Sequence, residues 1–178
     1  MKNTPVILIH PGWQDSGPEH WQSLWLKKYP NAVKVEQKDW MFPRKDEWVS
    51  ILNDAINQHL EEEIILVGHS LACATIAHWA QVFGPTSKAK IKGALLVSPF
   101  QRFPKEMTGF APLPLSPLPF KAIVVASETD PWATIEEAKN FADAWGAELV
   151  NIGHHGHINT AAGFGEWPEG ERILARLQ

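Results

Sequence analysis

The stretch "EIILVGHSLA" (Glu63–Ala72) decides the fold, because it joins a buried strand to a helix through a very short turn. Ile64–Val67 form an unbroken apolar run, as a strand that is covered on both faces requires. Gly68, His69 and Ser70 end that run, and "LACATIAHWAQVFG" continues as a largely apolar helix. A serine at this turn holds its hydroxyl above the end of the sheet. The helix N-terminus beside it favours developing negative charge.

Small residues flank this serine two positions before it and two positions after it, at Gly68 and Ala72. A strand-to-helix turn this tight leaves no room for larger side chains there, and it strains the backbone of the serine. The usual pattern at such turns is G-x-S-x-G, and here alanine replaces the last glycine. Ser70 is therefore a candidate nucleophile. The alternative is that its hydroxyl only caps the helix.

Five further segments read as strands, and helical patterns lie between most of them. The strands are Pro5–His10, Ala32–Gln37, Ile91–Ser98, Lys121–Ser127 and Ala147–Ile152, and the helices lie within 16–30, 44–62, 71–84, 134–146 and 168–177. Strands that alternate with helices of roughly 10–15 residues form parallel sheets with helices on both faces. We predict one domain over residues 1–178, an α/β fold with three α/β/α layers and a mostly parallel six-stranded sheet.

Residues at the helix ends refine these boundaries. Pro18 fits the first turn of the first helix, and Pro30 ends it. Thr134 and Glu137 are spaced as a capping box at the start of a later helix, which Gly146 closes.

Composition excludes several classes of function. The net charge is −4 and no basic stripe is visible, which argues against nucleic acid or an anionic membrane as the main partner. No apolar run approaches the roughly 18 residues of a membrane span. The single cysteine, Cys73, allows no internal disulfide and fits a reducing compartment. We therefore expect a cytoplasmic protein in which Cys73 is a small buried apolar residue.

A serine nucleophile needs a base and a carboxylate that orients the base. On a parallel sheet these partners follow the serine in the order acid, then histidine, each at a later strand end. The fifth strand is followed by "ETDPW", where Asp130 is the candidate acid and Glu128 the alternative. The sixth strand is followed by "GHHGHIN". Its histidines at 154, 155 and 157 compete as the base, and their spacing favours the last only modestly.

The three histidines raise the alternative of a zinc site, but such sites usually draw ligands from separate elements. Neither a cysteine nor an acidic run lies close by, so we expect no metal and no cofactor. A serine hydrolase also needs two backbone donors for the oxyanion. Leu71, directly after the serine, is one candidate donor. The other is Trp13 (or Gly12) in "HPGWQDSG", a loop that we expect His10 to brace.

The segment from Pro99 to Phe120 falls outside the alternating pattern. It contains six prolines, so it is neither a central strand nor a long helix. Its Phe100 could line a pocket together with Trp13 and Trp132. A surface crossover that packs on its own aromatic residues is an equally good interpretation.

The motifs "HPGW", "EHWQSLW", "GHSLA", "SETDPW" and "GHINTAAGFGEWPEG" occur in this order along nearly the whole chain. Together they resemble the small serine hydrolases of the retinoblastoma-binding protein nine type, within the α/β-hydrolase superfamily. The resemblance implies a minimal α/β-hydrolase fold without a cap domain. It carries the family's catalytic triad onto Ser70, Asp130 and His157, and so favours His157 among the three histidines.

Two departures from the family pattern bear on function. Ala72 stands where many members have glycine. The L-x-C-x-E motif that binds retinoblastoma-type proteins is absent, because "LACAT" has Thr75 at the glutamate position. A partner of that type is therefore not supported.

The expected function is that of a serine hydrolase that cleaves small carboxylic esters through an acyl-enzyme. Without a cap, we expect a shallow, open pocket for small acyl groups. One alternative is an amidase or peptidase that uses the same three residues on an amide substrate. The other is a binding protein on a hydrolase scaffold, because fold alone does not guarantee activity.

Overall fold

The computed structural model describes residues 4–178. Six strands are assigned in this range: β1 (Val6–His10), β2 (Ala32–Lys34), β3 (Glu63–His69), β4 (Lys90–Val97), β5 (Lys121–Ala126) and β6 (Glu148–Asn151). The five α-helices are α1 (Trp21–Lys28), α2 (Lys45–Asn57), α3 (Leu71–Val82), α4 (Ile135–Trp145) and α5 (Pro168–Ala175). A single 3₁₀ turn, Thr160–Ala162, lies between β6 and α5.

The six strands form one sheet in the order β2-β1-β3-β4-β5-β6. Every neighbouring pair is parallel, so the sheet is more uniform than the mostly parallel one predicted. From β1 the chain first adds β2 on one side, and it then adds β3 to β6 one after another on the other side. Strand β3 therefore lies in the interior of the sheet. All carboxyl ends of the strands therefore share one edge, where open α/β sheets bind their ligands.

Two apolar layers cover the sheet and confirm the three-layer architecture. One face packs against α1 and α5 through Trp21, Trp25 and Ile173. The opposite face packs against α2, α3 and α4, with Trp48 and Trp145 among its buried side chains. Most residues of the inner strands are buried, which explains why their sequences are continuous apolar runs.

The end of β2 and the start of α1 differ from the sequence prediction. Only Ala32–Lys34 form a strand, because β2 is an edge strand and Gln37 instead turns inward to bond with the ring of His10. The side chain of His20 accepts the N–H of Gln22 and caps α1, so the helix begins at Trp21. The prediction that Pro18 lies in its first turn is therefore wrong.

Other predicted helix ends are confirmed. Thr134 and Glu137 form both hydrogen bonds of a capping box at the start of α4. Gly146 ends that helix in the left-handed conformation, with φ 66°.

The proline-rich segment between β4 and β5 contains no α-helix or named strand. It is a crossover whose own aromatic rings pack together, because Phe103 contacts Phe100 and Phe110. It is not confined to the surface, however, because Phe100, Met107 and Phe110 are buried in the core on the α2–α3–α4 side. Within residues 4–178, the helices are all too short or too polar to cross a membrane.

Candidate active site

Ser70, Asp130 and His157 meet at the carboxyl edge of the sheet, after β3, β5 and β6 respectively. The Oγ of Ser70 lies 2.7 Å from Nε2 of His157. Nδ1 of His157 lies 2.9 Å from each carboxylate oxygen of Asp130. The three loops are far apart in the chain, and the order of the parallel strands brings them together.

The turn at Ser70 has the strained geometry expected of a strand-to-helix elbow. Its φ is 58° and its ψ is −120°, a conformation that L residues rarely adopt. The backbone N–H of Ser70 donates to the carbonyl of Val97 at 2.8 Å, which ties the turn to β4. A Cβ at Gly68 would lie 2.8 Å from Cδ1 of Ile76 and 3.2 Å from the backbone carbonyl carbon of Ala72, so a side chain there would require Ile76 to move and would crowd the first turn of α3.

The Ser70 hydroxyl makes no capping hydrogen bond to helix α3. This contradicts the alternative in which the serine serves only as a helix cap. Its partner is instead the imidazole of His157. Ala72 is fully buried in the first turn of α3, so the elbow accommodates a methyl group in place of the usual glycine hydrogen.

Hydrogen bonds around His157 select one tautomer. Because a carboxylate only accepts, Nδ1 of His157 carries a proton and donates a hydrogen bond to Asp130, and Nε2 is left to accept from the Ser70 hydroxyl. Asp130 is held in turn by the N–H of Trp132, which donates to its Oδ1 at 2.9 Å. The side chains of His157 and Asp130 are only 10% and 4% exposed.

The competing acid and base candidates lie elsewhere. Glu128 pairs with His154 at 2.9 Å, and both side chains are exposed. His155 packs its ring edge-on against Phe164. In residues 4–178 no three histidine, cysteine or carboxylate side chains are grouped so that they could hold a metal ion.

The loop after β1 approaches the elbow closely at Gly12. A Cβ there would lie 2.8 Å from the carbonyl oxygen of His69 and 3.0 Å from Cβ of Ser70, so only glycine fits. The N–H of Leu71 is the first of helix α3 and has no acceptor within the helix. Over the described residues, the N–H of Trp13 has no backbone acceptor either. Both predicted oxyanion donors are thus available for a ligand.

His10 braces this loop, as the sequence predicts. Its Nδ1–H donates to the carbonyl of Pro11 at 2.7 Å, while its Nε2 accepts from the amide of Gln37. Gln22 binds the backbone carbonyl of His10 from helix α1. Burial lowers the pKa of His10 to about 4, so the ring is neutral at neutral pH.

His69 and His20 are two functional candidates that the sequence analysis missed. Nε2–H of His69 donates to the backbone carbonyl of His157 at 2.8 Å, so the residue before the serine anchors the loop that carries the base. The ring of His20 lies 4.9 Å from that of His69, centroid to centroid. The only sequence signal for His69 was a polar residue at the end of a buried strand.

Both histidines are buried and neutral. Burial, with smaller effects from His157 and His20, holds the pKa of His69 well below its ordinary value. Burial, with a smaller effect from His157, lowers the pKa of His20 to about 4. Neither ring therefore brings a positive charge close to His157 at neutral pH.

A cavity of about 340 Å³ opens above Ser70, and both apolar and polar side chains line it. We use the term apolar wall for the apolar lining residues Trp13, Phe100, Met107 and Trp132. We use the term polar wall for the polar lining residues Asp15, His20, His69, Asn159 and Thr160. The three predicted pocket residues thus line the apolar wall, and the Pro99–Phe120 segment supplies part of it. The cavity is open to solvent.

Cys73 does not compete as a nucleophile. It is fully buried, and its Sγ–H points to the carbonyl of Val97 at 3.4 Å. Burial raises the pKa of this thiol far above its ordinary value, so it stays protonated and unreactive.

Comparison with known proteins places this chain in a family. The sequence model of the family described as "Serine hydrolase" matches residues 7–176. No curated protein matches the chain significantly.

Among solved structures, a YdeN-like hydrolase of Pectobacterium atrosepticum is 31% identical with a TM-score of 0.83, over 97% of this chain and 89% of its own. The ydeN gene product of Bacillus subtilis is 22% identical with a TM-score of 0.79, over 98% of both chains. Esterase 2 of Thermogutta terrifontis is 15% identical with a TM-score of 0.66, over 98% of this chain and 81% of its own. The last two show the shared fold alone. With the family match over nearly its full length, this chain belongs to the serine hydrolase family and has the α/β-hydrolase fold.

Proposed function

We propose that this hydrolase cleaves small carboxylic esters through an acyl-enzyme, with Ser70 as nucleophile, His157 as base and Asp130 as the orienting acid. The observation that supports this most strongly is the unbroken chain of hydrogen bonds from the Ser70 hydroxyl through His157 to Asp130. A serine hydroxyl is a weak nucleophile unless a base in contact with it removes its proton.

In the first half-reaction, Ser70 Oγ attacks the ester carbonyl carbon while its proton moves to Nε2 of His157. The tetrahedral intermediate collapses when the C–O bond to the alcohol breaks, and His157 passes the proton to the departing alkoxide. In the second half-reaction His157 takes a proton from the water that attacks the acyl carbon. The bond between that carbon and Ser70 Oγ then breaks, His157 returns the proton to Oγ, and the carboxylic acid leaves. Asp130 stays ionised and stabilises the imidazolium each time it forms.

Two backbone N–H groups would stabilise the oxyanion of each intermediate. Leu71 contributes the first N–H of helix α3, where the helix dipole also favours negative charge. Trp13 contributes the second, from the loop that Gly12 allows to approach the elbow. Loss of one such donor typically costs about 2.7–4 kcal/mol of transition-state stabilisation.

The apolar wall supports a small acyl group. The rings of Trp132 and Phe100 lie 5.1 Å apart, and Trp13 meets Trp132 edge-on at 6.4 Å, so these aromatic residues restrict the space above Ser70. Trp132 also lies 6.0 Å from the ring of His157. We expect a panel of p-nitrophenyl esters to show highest kcat/KM for short chains and a steep fall for long ones.

The test of the mechanism is a rapid-mixing experiment with p-nitrophenyl acetate. An acyl-enzyme predicts a burst of about one nitrophenolate per chain, followed by slower turnover, if deacylation limits the rate. Ser70→Ala should remove both phases while the circular dichroism spectrum stays unchanged. Hydrolysis by Ser70→Ala at the wild-type rate would exclude Ser70 as the nucleophile.

The same three residues could act on amides. Matched pairs of an ester and an anilide with the same acyl group separate an esterase from an amidase, and we expect the ester to be cleaved faster. A protein that only binds ligands on this scaffold would show neither the burst nor turnover, although it could bind the esters.

A further inference from the structure

Two histidines that the proposed mechanism does not use line the polar wall of the cavity. His20 and His69 are each 5% exposed, and their rings meet at 60° with centroids 4.9 Å apart. The ring of His69 also lies 5.0 Å from the ring of His157. His69 therefore adjoins the group that would protonate the departing alcohol, and His20 lies beside His69.

Backbone contacts fix the tautomer of each ring. The N–H of Gln22 donates to Nδ1 of His20 at 3.1 Å, so the proton of this neutral ring is on Nε2. Nε2–H of His69 donates to the carbonyl of His157, so Nδ1 of His69 carries a lone pair. His20 thus offers a donor, and His69 beside it offers an acceptor.

Nε2 of His20 and Nδ1 of His69 have no hydrogen-bond partner within residues 4–178. Both nitrogens are accessible to solvent. Over the same residues, the polar side-chain atoms that are inaccessible to solvent and have no hydrogen-bond partner are Gln37 Oε1, Ser98 Oγ and Trp167 Nε1, and the two histidine nitrogens are not among them. Buried polar groups are normally satisfied, so either water or a polar group of a ligand in the cavity must meet this donor and this acceptor.

We propose that His20 and His69 together bind a hydroxyl group in the alcohol part of the substrate, so that the enzyme selects esters of diols or polyols. A hydroxyl both accepts, here from Nε2–H of His20, and donates, here to Nδ1 of His69. The inference rests on the function proposed above, because it assigns the polar wall to the leaving alcohol and the apolar wall to the acyl group.

The neighbouring residues of the polar wall agree with this assignment. Asn159 uses its Oδ1 to accept the N–H of Ala162, which leaves its NH₂ group for other partners. Thr160 adds a hydroxyl on the same wall. The carboxylate of Asp15 is bound by Lys34 at 2.9 Å and by the N–H of Ser16, so it does not present an isolated negative charge.

The test compares two butyrate esters of equal size, 2-hydroxyethyl butyrate and propyl butyrate. Because the hydroxyethyl ester gains two neutral hydrogen bonds that the propyl ester lacks, we expect its kcat/KM to be about tenfold higher. 2-Methoxyethyl butyrate accepts but cannot donate, and it should lose most of this advantage over an alkyl ester of its own length.

Variants assign the preference to the two rings. His20→Asn keeps a good helix-capping side chain but removes Nε2–H, so the tenfold ratio should fall to near one. His69→Gln keeps an N–H that can reach the carbonyl of His157 but has no acceptor at the position of Nδ1, because its amide oxygen lies elsewhere, and it should lower the ratio too. The matched control is His154→Asn, an exposed histidine outside the cavity, which should keep the full ratio.

Three outcomes separate the hypotheses. A wild-type ratio near one, with normal cleavage of propyl butyrate, would show that the histidine pair holds only water and would overturn this inference alone. A tenfold ratio that persists in both His20→Asn and His69→Gln would also overturn it. If no ester is cleaved and Ser70 does not react with a fluorophosphonate, the proposed function fails as well.

Discussion

Two carboxylate–histidine pairs span the loops after β5 and β6, and only one of them contacts a serine. Glu128–His154 and Asp130–His157 have the same 2.9 Å separation between their nearest atoms. The first pair is exposed, with side-chain exposures of 42% and 74%, whereas those of the second are 4% and 10%. Sequence spacing and the distance within each pair therefore do not distinguish the two pairs. They differ in burial and in the contact of His157 with Ser70.

Burial changes what such a pair can do. An ion pair in water is screened and contributes little to stability or to orientation. A buried carboxylate that also accepts the N–H of Trp132 holds the imidazole of His157 in one tautomer and one direction. Asp130–His157 is therefore the candidate catalytic pair, and Glu128–His154 is a surface contact.

The largest expected effect separates the two histidines. His157→Ala should lower kcat for p-nitrophenyl acetate by up to about 10⁶-fold, because Ser70 then has no base. His154→Ala should change kcat by less than about twofold, since it alters only an exposed contact. Comparable losses in both variants would contradict the distinction between the pairs.

A second test separates the two acids. Asp130→Asn should lower kcat by about 10⁴-fold with the fold intact, because an amide can donate to Nδ1 and favours the wrong tautomer of His157. Glu128→Gln should leave kcat nearly unchanged, since its side chain is exposed and points to Asn151 and His154. A large loss in Glu128→Gln would identify it as the orienting acid instead.

Close packing at the elbow is tested with two glycines of one loop. Gly12→Ala should lower kcat by about 10²-fold, because the new methyl group would push the loop and its N–H donor away from Ser70. Gly17→Ala is the control, since no atom lies within 4 Å of a Cβ placed there. Equal activities of the two variants would exclude the predicted approach of this loop.

Buried histidines outside the pairs should make the protein sensitive to acid. Burial lowers the pKa of His10 to about 4 from 6.5, so the unfolded chain binds more protons between these values. Stability is fully present above pH 6.5 and falls as the pH drops towards 4, by about 3 kcal/mol from this group alone.

The measurement is urea unfolding at a series of pH values between 7 and 4. His10→Met should be less stable at pH 7 than the wild type. Its free energy of unfolding should fall less steeply as the pH drops, because unfolding of the variant takes up about one proton fewer. The exposed His154 supplies the contrast, because His154→Met should leave the slope unchanged. Parallel curves for the wild type and His10→Met would show that His10 is not buried in its neutral form.

The smallest expected effect is the change in thermal stability when the exposed Glu128–His154 pair is broken. Glu128→Gln should leave the Tm unchanged within error at physiological salt, because a surface pair is screened. Asp130→Asn, by contrast, alters a buried contact and should shift the Tm measurably. Differential scanning calorimetry of the two variants measures both effects, and a clear Tm shift in Glu128→Gln would show that exposure does not weaken its pair.

Much of the fold could be predicted because its signals are local. Continuous apolar runs revealed the inner strands, and the elbow, the acid loop and the histidine loop follow from strand ends on a parallel sheet. The edge strand β2 was predicted too long, because alternation in sequence does not show where Gln37 leaves the sheet for His10. The cap from His20 was missed, since histidine is not among the usual capping residues.

The roles of His20 and His69 could not be predicted from spacing. Their partners are a backbone N–H and the carbonyl of a residue 88 positions away, and neither leaves a pattern in the sequence. The choice among three histidines of one loop rested on resemblance, because spacing favoured His157 only modestly. Burial and the 2.7 Å contact with Ser70 distinguish that histidine in the structure.

The most direct test of the central claim is intact-mass analysis after reaction with a fluorophosphonate, followed by peptide mapping. The proposed relay predicts one adduct per chain on Ser70, rapid in the wild type and in His154→Ala but very slow in His157→Ala. Ser70→Ala should remain unlabelled. An adduct on another residue, or equal labelling rates in the two histidine variants, would contradict the assignment of Ser70 and His157.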